Sequence, residues 1–189
     1  AQLLVSDSGF VRDELLTLFQ LPPDKVTAIP LGVDVTFQPQ QGQHLADTLA
    51  RYGLQSGRYL FSLGTLEPRK NLAGLLAAFS QLPNDLRRRY PLVIAGAYGW
   101  NSDTLLKQIQ RLQASGELVY LDYVSEHDLP ALYAGATAFC YFSFYEGFGL
   151  PVLEAMSCGA PVLCANTSAL PELCEGSGAL QVDPGDIDA

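Results

Sequence analysis

The chain has 189 residues, of which 48% are hydrophobic, enough for one sizeable globular core. Its net charge of −9 argues against nucleic acid or an anionic membrane as the main partner, because both are themselves negatively charged. No apolar run approaches the length of a transmembrane helix. The four cysteines lack Cys-x-x-Cys spacing, which argues against a zinc site, and we expect a reducing, cytoplasmic compartment.

The first thirty residues predict a short strand–helix–strand unit. Residues 3–5 and 26–29 are apolar runs of strand length, and residues 10–19 follow helical periodicity after a cap at residues 6–8. The chain opens on Ala-Gln-Leu and not on Met, in the middle of what reads as a strand. We therefore expect it to be part of a longer protein.

The remainder alternates strand-like and helix-like segments. Predicted strands cover residues 59–63, 92–95, 118–121, 138–142, 161–165 and 178–182, and predicted helices include residues 45–52, 72–79, 103–112 and 151–157. This alternation indicates an α/β domain with a doubly wound, Rossmann-like parallel sheet. Ligands of such sheets bind outside the carboxyl ends of the strands.

Two further helices are predicted from capping residues. Ser125 and Asp128 form a capping-box-like pair ahead of an apolar segment. Residues 166–168 are polar and are predicted to cap a short helix that runs through Leu173.

A cationic loop follows the first strand of the sheet. Gly64 and Thr65 come directly after that strand, and Arg69 and Lys70 stand just ahead of the next helix. Arg69 can bind a phosphate through two parallel hydrogen bonds, and Lys70 adds a compact charge. An isolated Arg-Lys pair is by default a solvated loop, but the loop that carries Glu146 lies at the same sheet edge by topology.

A glycine-rich loop joins residues 138–142 to the next helix and carries two glutamates. Glu146 lies on the loop, and Glu154 lies eight positions on, in the predicted first turn of the helix. Gly147 and Gly149 let backbone amides approach a ligand, and the helix N-terminus attracts anions. The loop therefore offers amide donors to phosphate and carboxylate acceptors to hydroxyls, and a sugar nucleotide carries both groups.

Each of these features also has a purely structural explanation. A glutamate in a first helical turn is stabilised by the helix dipole without any ligand. A Gly-Phe-Gly segment can be a simple turn. Their combination is what favours a binding site.

Residues 145–156 read Tyr-Glu-Gly-Phe-Gly-Leu-Pro-Val-Leu-Glu-Ala-Met and are followed by Cys-Gly-Ala-Pro-Val. This run resembles the glutamate–seven residues–glutamate motif of retaining glycosyltransferases with the GT-B fold, glycosyltransferase family four (glycosyl transferases group 1) in particular. The match is specific because both glutamates, the glycines and the proline coincide. The resemblance covers almost the whole chain and implies the C-terminal, donor-binding half of a GT-B fold.

The resemblance also implies a domain division. Residues 1–25 would be the tail of an N-terminal acceptor domain with its linker, and residues 26–189 would be the nucleotide-sugar-binding domain, without its last C-terminal helices. Such a chain would bind donor weakly and transfer no sugar on its own. One departure from the family pattern is Leu31, which stands before Gly32 where the family usually has Asn.

Site residues follow from the same resemblance. Arg69 and Lys70 would bind the donor diphosphate, Glu146 would orient the donor sugar, and Glu154 would bind the ribose. The nucleotide base would lie near residues 122–124, held largely by backbone. The full nucleotide-contacting set would comprise Gly64, Thr65, Tyr123, Val124, Gly147, Phe148, Gly149, Leu150 and Glu154.

The expected activity is transfer of a sugar from a nucleoside diphosphate sugar to a glycan or lipid-linked acceptor, in lipopolysaccharide or polysaccharide biosynthesis. The resemblance to the family around residues 146–171 implies mannose as the donor sugar. No metal or other cofactor is expected, since Asp186-x-Asp188 follows a turn and is rejected as a metal motif. The expected partners are the nucleotide sugar and an acceptor domain of the same protein.

Three other functional classes differ from this one in the motifs they require. A non-catalytic sugar-nucleotide-binding module is the alternative that the sequence leaves open. A dinucleotide-dependent oxidoreductase would need Gly-x-Gly-x-x-Gly after its first strand, and a Walker-type kinase would need a Gly-Lys-Ser/Thr loop. The sequence contains neither motif.

Overall fold

The computed structural model describes residues 3–100 and 103–188. Its N-terminal unit consists of β1 (Leu4–Ser6), α1 (Gly9–Leu18) and β2 (Val26–Ala28). Strands β1 and β2 pair in parallel, in a small sheet separate from the main one. The predicted boundary at residue 25 lies inside this unit, because β2 pairs with β1.

The main sheet contains β3 (Leu60–Leu63), β4 (Leu92–Ala95), β5 (Leu118–Leu121), β6 (Ala138–Tyr141), β7 (Val162–Ala165) and β8 (Leu180–Val182). The helices around it are α2 (Gly42–Arg51), α3 (Leu72–Gln81), α4 (Asn84–Arg89), α5 (Asp103–Ala114), α6 (Leu129–Ala134), α7 (Leu150–Ser157) and α8 (Leu170–Cys174).

The described strands of the main sheet lie in the order β5-β4-β3-β6-β7-β8, and every neighbouring pair is parallel. Counted along the chain from β3, this is the order 3-2-1-4-5-6 of the Rossmann fold. The predicted doubly wound α/β domain is confirmed. The order reverses between β3 and β6, which is where such folds bind their ligands.

Buried side chains cover both faces of the sheet because successive strand residues point to opposite sides. In β4, Val93 packs in one apolar layer with Phe61 and Phe139, whereas Ile94 packs in the other with Phe79. Helices therefore cover both faces, and the polar loops are left at the strand ends. In the described part of the chain, no helix is long and apolar enough to span a membrane.

Two glycines let the loop after β4 lie directly against the loop after β3. A Cβ on Gly96 would lie 2.1 Å from the carbonyl oxygen of Gly64, and a Cβ on Gly99 would lie 2.5 Å from that of Leu66. The Leu66 N–H donates to the carbonyl of Ala97 at 3.0 Å. Backbone contacts thus fix the first part of the cationic loop.

The predicted capping box at Ser125 and Asp128 is wrong. Helix α6 begins only at Leu129, and the side chain of Asp128 caps no backbone N–H. Its carboxylate instead accepts hydrogen bonds from Arg51, the last residue of α2, and from Tyr52, the C-cap of that helix, each at 2.7 Å. The ion pair with Arg51 adds the attraction between two full charges, which a capping bond from an uncharged backbone amide lacks.

The predicted cap at residues 166–168 is also wrong. Helix α8 begins at Leu170 with Ala169 as its N-cap, and no side chain makes a capping hydrogen bond there. The hydroxyl of Ser168 instead accepts a hydrogen bond from the Glu146 N–H at 2.9 Å.

Candidate functional site

The loops after β3 and β6 meet at the point where the strand order reverses. The two strands pair at Leu60–Ala138 and Phe61–Phe139, and each continues two residues further. Beyond them, the Phe144 N–H donates to the carbonyl of Arg69 at 2.9 Å. The Arg69 guanidinium donates in return to the carbonyl of Tyr145 at 2.8 Å. The predicted shared edge is confirmed.

Both cations of the first loop pair with the glutamate of the second. Glu146 Oε1 lies 2.8 Å from Lys70 Nζ and 3.0 Å from Arg69 Nη1. Arg69 Nη2 makes a second ion pair with Glu67 at 2.8 Å. Glu146 and Lys70 are both largely buried, so their pair is poorly screened by water, whereas the Arg69 guanidinium is exposed.

A tyrosine that the sequence analysis missed completes this group. The Tyr141 hydroxyl accepts a hydrogen bond from Lys70 Nζ at 2.7 Å and donates to Glu146 Oε1 at 2.9 Å. Lys70 Nζ also lies 5.0 Å from the centre of the Tyr141 ring. We call Arg69, Lys70, Tyr141 and Glu146 the Lys70–Glu146 cluster.

The cluster lowers the pKa of Glu146. Burial alone would raise it, but the hydrogen bond and charge of Lys70, together with the hydroxyls of Ser143 and Tyr141, outweigh burial. The pKa of Glu146 therefore lies below its ordinary value, and the carboxylate is ionised at neutral pH.

Glu154 lies in the second turn of α7, and its predicted place in the first turn is wrong. Gly149 is the N-cap, with a left-handed φ of 105°, and the helix begins directly after it at Leu150. Glu154 is thus the fifth residue of the helix, and the first turn contains no acidic residue. Stabilisation by the helix dipole, which falls off within the first turn, does not account for this glutamate.

The surroundings of Glu154 differ from those of Glu146. Its Oε2 accepts a hydrogen bond from the Tyr133 hydroxyl at 2.8 Å, and the side chain is half-buried. Within residues 3–100 and 103–188, no cation forms an ion pair with it. Burial raises the pKa of Glu154, the Tyr133 hydrogen bond partly opposes this, and the charge of Glu126 adds to it.

The glycine loop between the two glutamates is anchored from both sides. Ser8 Oγ, from the N-terminal unit, donates to the carbonyl of Gly147 at 2.5 Å, and Ser168 holds the Glu146 N–H. Phe148 is buried, and a Cβ on Gly149 would lie 2.6 Å from Leu170 Cδ2. The serines are far from the loop in sequence, and no local pattern identifies them.

The other predicted site residues have more varied surroundings. Gly64 lies against the aliphatic part of the Lys70 side chain, and Thr65 and Leu150 are exposed. Tyr123 is 81% exposed after β5, and Val124 packs against the core. Glu126, two residues further along the same segment, carries a charge that adds to the rise in the pKa of Glu154.

The arrangement can bind a ligand that is anionic at one end and rich in hydroxyls at the other. Arg69 and Lys70 can donate to phosphate oxygens, and Glu154 can accept from hydroxyls. Among the described residues, no group of three or more His, Cys, Asp or Glu side chains could hold a metal ion. That the activity requires no metal stays a prediction.

The opposite pKa shifts of the two glutamates predict opposite effects on stability. A carboxyl whose pKa is lowered by folding stabilises the fold at any pH above its pKa in the unfolded chain. That stabilisation is lost as the pH falls through the pKa of the folded state. A carboxyl whose pKa is raised by folding stabilises the fold at low pH. That stabilisation is lost as the pH rises through the pKa of the folded state. At neutral pH, Glu154→Gln should therefore raise the free energy of unfolding, and Glu146→Gln should lower it.

Urea denaturation at about pH 7.5 and about pH 4 measures both effects. The differences from the parent chain should shrink at the lower pH, as the glutamates approach protonation. Glu175→Gln, at an exposed position, is the matched control and should change little at either pH. Destabilisation by Glu154→Gln at neutral pH would contradict the assigned surroundings of Glu154.

Comparison with known proteins places the fold and the site in context. The chain is 44% identical over all 189 residues to O-antigen chain mannosyltransferase B of Escherichia coli, and covers 49% of that protein. Over 166 residues, 85% of the chain, it is 31% identical to serotype-specific mannosyltransferase WbdA of Escherichia coli, and covers 20% of it. The chain thus spans half the length of these curated relatives or less.

Solved structures agree on the fold. The crystal structure of Anabaena HepE in complex with UDP and glucose superimposes with a TM-score of 0.85 at 22% identity, over 99% of this chain and 51% of that one. This supports the predicted match to the C-terminal half of GT-B glycosyltransferases. The family described as glycosyl transferases group 1 matches residues 50–189, and the chain belongs to that family.

Proposed function

We propose that the chain is the donor-binding half of a retaining, family-four glycosyltransferase that transfers mannose from a nucleoside diphosphate sugar to a glycan or lipid-linked acceptor. The observation that carries the proposal is the pairing of Arg69 and Lys70 with Glu146 at the switch point of the sheet. The mannosyltransferases among its relatives support the choice of sugar and a role in O-antigen synthesis.

The diphosphate of the donor would bind to Arg69 and Lys70. Negative charge accumulates on the diphosphate as the sugar bond breaks, and fixed cations stabilise that charge most in the transition state. Both cations now pair with Glu146, so the diphosphate would take over part of that pairing. Glu146 would then accept hydrogen bonds from hydroxyls of the donor sugar and orient it.

The ribose of the donor would bind to Glu154. A carboxylate can accept from two vicinal hydroxyls, and hydrogen bonds to charged groups contribute about 1.5–3 kcal/mol. Glu154 is half-buried and lacks a pairing cation in the described structure, which makes it costly for stability. Such a cost is expected of a residue retained for binding.

Retention of configuration would come from same-face attack assisted by the leaving phosphate. Glu146 is tied to Lys70, Arg69 and Tyr141 and would act by orienting the sugar, not as a nucleophile. The acceptor would be held by a domain outside this chain. Holding two reactants in place is worth about 7–11 kcal/mol of barrier, so the chain alone would not transfer sugar.

Removal of the Glu154 carboxylate tests its proposed contact with the ribose. Glu154→Ala should weaken nucleoside diphosphate binding at least about tenfold, because it removes a charged hydrogen-bond acceptor worth about 1.5–3 kcal/mol. Calorimetric titration with UDP and GDP measures the change, and Glu175→Ala at an exposed position serves as control. Equal affinity of Glu154→Ala and the parent chain would remove Glu154 from the site.

A second prediction separates the diphosphate from the rest of the ligand. The double variant Arg69→Ala/Lys70→Ala should weaken nucleoside diphosphate binding at least about tenfold and nucleoside binding little, because only the diphosphate contacts the cations. Arg88→Ala/Lys107→Ala removes the same charge at exposed positions and should change neither. If Arg69→Ala/Lys70→Ala weakened nucleoside diphosphate and nucleoside binding equally, Arg69 and Lys70 would have a structural role only.

A radiolabelled-donor assay of the complete enzyme beside this chain tests the mechanism. The complete enzyme should keep its rate in EDTA, because Arg69 and Lys70 supply the positive charge at the diphosphate. The chain alone should transfer no sugar, because it lacks the groups that position the acceptor. Loss of activity in EDTA that manganese or magnesium restores would contradict the expectation that no metal is needed. Sugar transfer by the chain alone, at a rate within about tenfold of the complete enzyme, would contradict the expectation that the chain is inactive.

A further inference from the structure

A row of buried aromatic rings lies beneath the candidate site. Tyr133 of α6 packs edge-on against Phe139 of β6, with ring centroids 5.0 Å apart. Phe139 in turn stacks on Tyr141 at 5.8 Å, and Phe61 of β3 packs against both Tyr133 and Phe139. Rings packed in this way have little freedom to move, so the hydroxyls at the two ends of the row are held in place.

Each end of the row donates a hydrogen bond to one of the two motif glutamates. The Tyr141 hydroxyl donates to Glu146 Oε1 at 2.9 Å, and the Tyr133 hydroxyl donates to Glu154 Oε2 at 2.8 Å. The two tyrosines belong to different elements, yet the row places their hydroxyls at the two carboxylates. The row therefore links the two ends of the candidate site.

Both hydroxyls remain protonated donors at physiological pH. Burial, together with the neighbouring carboxylate, raises the pKa of Tyr133 and of Tyr141 well above the ordinary value for a tyrosine. Tyr133 is fully buried, and Tyr141 is 2% exposed. Water therefore cannot easily replace either hydroxyl, and each glutamate has a fixed hydrogen-bond donor.

We propose that Tyr133 and Tyr141 are positioning residues, each for a different part of the donor. Tyr133 sets the rotamer of Glu154 and so acts on the nucleoside part, whereas Tyr141 sets Glu146 and Lys70 and so acts on the diphosphate and sugar. This assignment rests on the proposed function. A glutamate side chain has three rotatable bonds, and a fixed donor reduces the rotamer entropy that ligand binding would otherwise cost.

If Tyr133 and Tyr141 had only a structural role, their loss would change stability but not the affinity for one part of the ligand. Buried tyrosine hydroxyls usually have a partner, and loss of that partner lowers stability without regard to ligand. Tyr59 provides the comparison within this chain. It is fully buried, and its hydroxyl donates to the carbonyl of Leu132 at 2.6 Å, not to a site residue.

The test compares Tyr133→Phe, Tyr141→Phe and Tyr59→Phe in the whole chain. Calorimetric titration uses UDP and GDP with their nucleosides, uridine and guanosine, after thermal unfolding shows that each variant is folded. Tyr133→Phe should weaken nucleoside and nucleoside diphosphate by the same factor, about fivefold. Tyr141→Phe should weaken only the nucleoside diphosphate, also about fivefold, and Tyr59→Phe should weaken neither.

A second readout needs no ligand. Carbon-13 NMR titration of the glutamate carboxyls should show that Tyr133→Phe raises the pKa of Glu154 alone and that Tyr141→Phe raises the pKa of Glu146 alone, because each variant removes a donor to the ionised form. Unchanged pKa values of both glutamates would overturn the inference.

The binding outcomes separate the inference from the proposed function. Suppose that the parent chain binds UDP or GDP but the tyrosine variants bind as tightly as the parent, or that all three variants lose affinity for nucleosides and nucleoside diphosphates equally. In either case the positioning roles are wrong and the proposed function stands. If the parent chain binds none of the four probes at millimolar concentration, the proposed function fails and the positioning roles fail with it.

Discussion

The ion pair between Lys70 and Glu146 is the contact on which the candidate site depends. It joins residues 76 positions apart, and it exists because β3 and β6 are neighbours where the strand order reverses. Gly96 and Gly99 let the neighbouring loop support the Lys70 side of the pair, and Ser168 holds the Glu146 backbone. The doubly wound sheet thus brings two loops together into one candidate binding surface.

The two glutamates of the motif have opposite relations to the fold. Glu146 is stabilised by two cations and a tyrosine, whereas Glu154 is half-buried with a neutral donor and near the charge of Glu126. Perturbed carboxyl pKa values with specific partners are typical of functional sites. Half-burial with no pairing cation in the described structure makes an ionised Glu154 costly for stability, as expected of the proposed hydroxyl acceptor.

The sequence predicted those features that depend on local patterns and on sheet topology. Apolar runs of strand length placed Arg69 and Lys70 at the same edge as Glu146, since parallel strands end together. Features that depend on distant partners were missed. Asp128 reads locally as a cap, but it pairs with Arg51, 77 positions away, and Tyr133 and Ser168 likewise act on residues from other elements.

A crystal structure of the chain with a nucleoside diphosphate sugar tests the central claim most directly. The account predicts diphosphate oxygens within hydrogen-bonding distance of Arg69 and Lys70, the ribose hydroxyls on Glu154, and Glu146 turned partly from the cations to the donor sugar. A donor bound at another edge of the sheet, or bound here with the ribose away from Glu154, would contradict it.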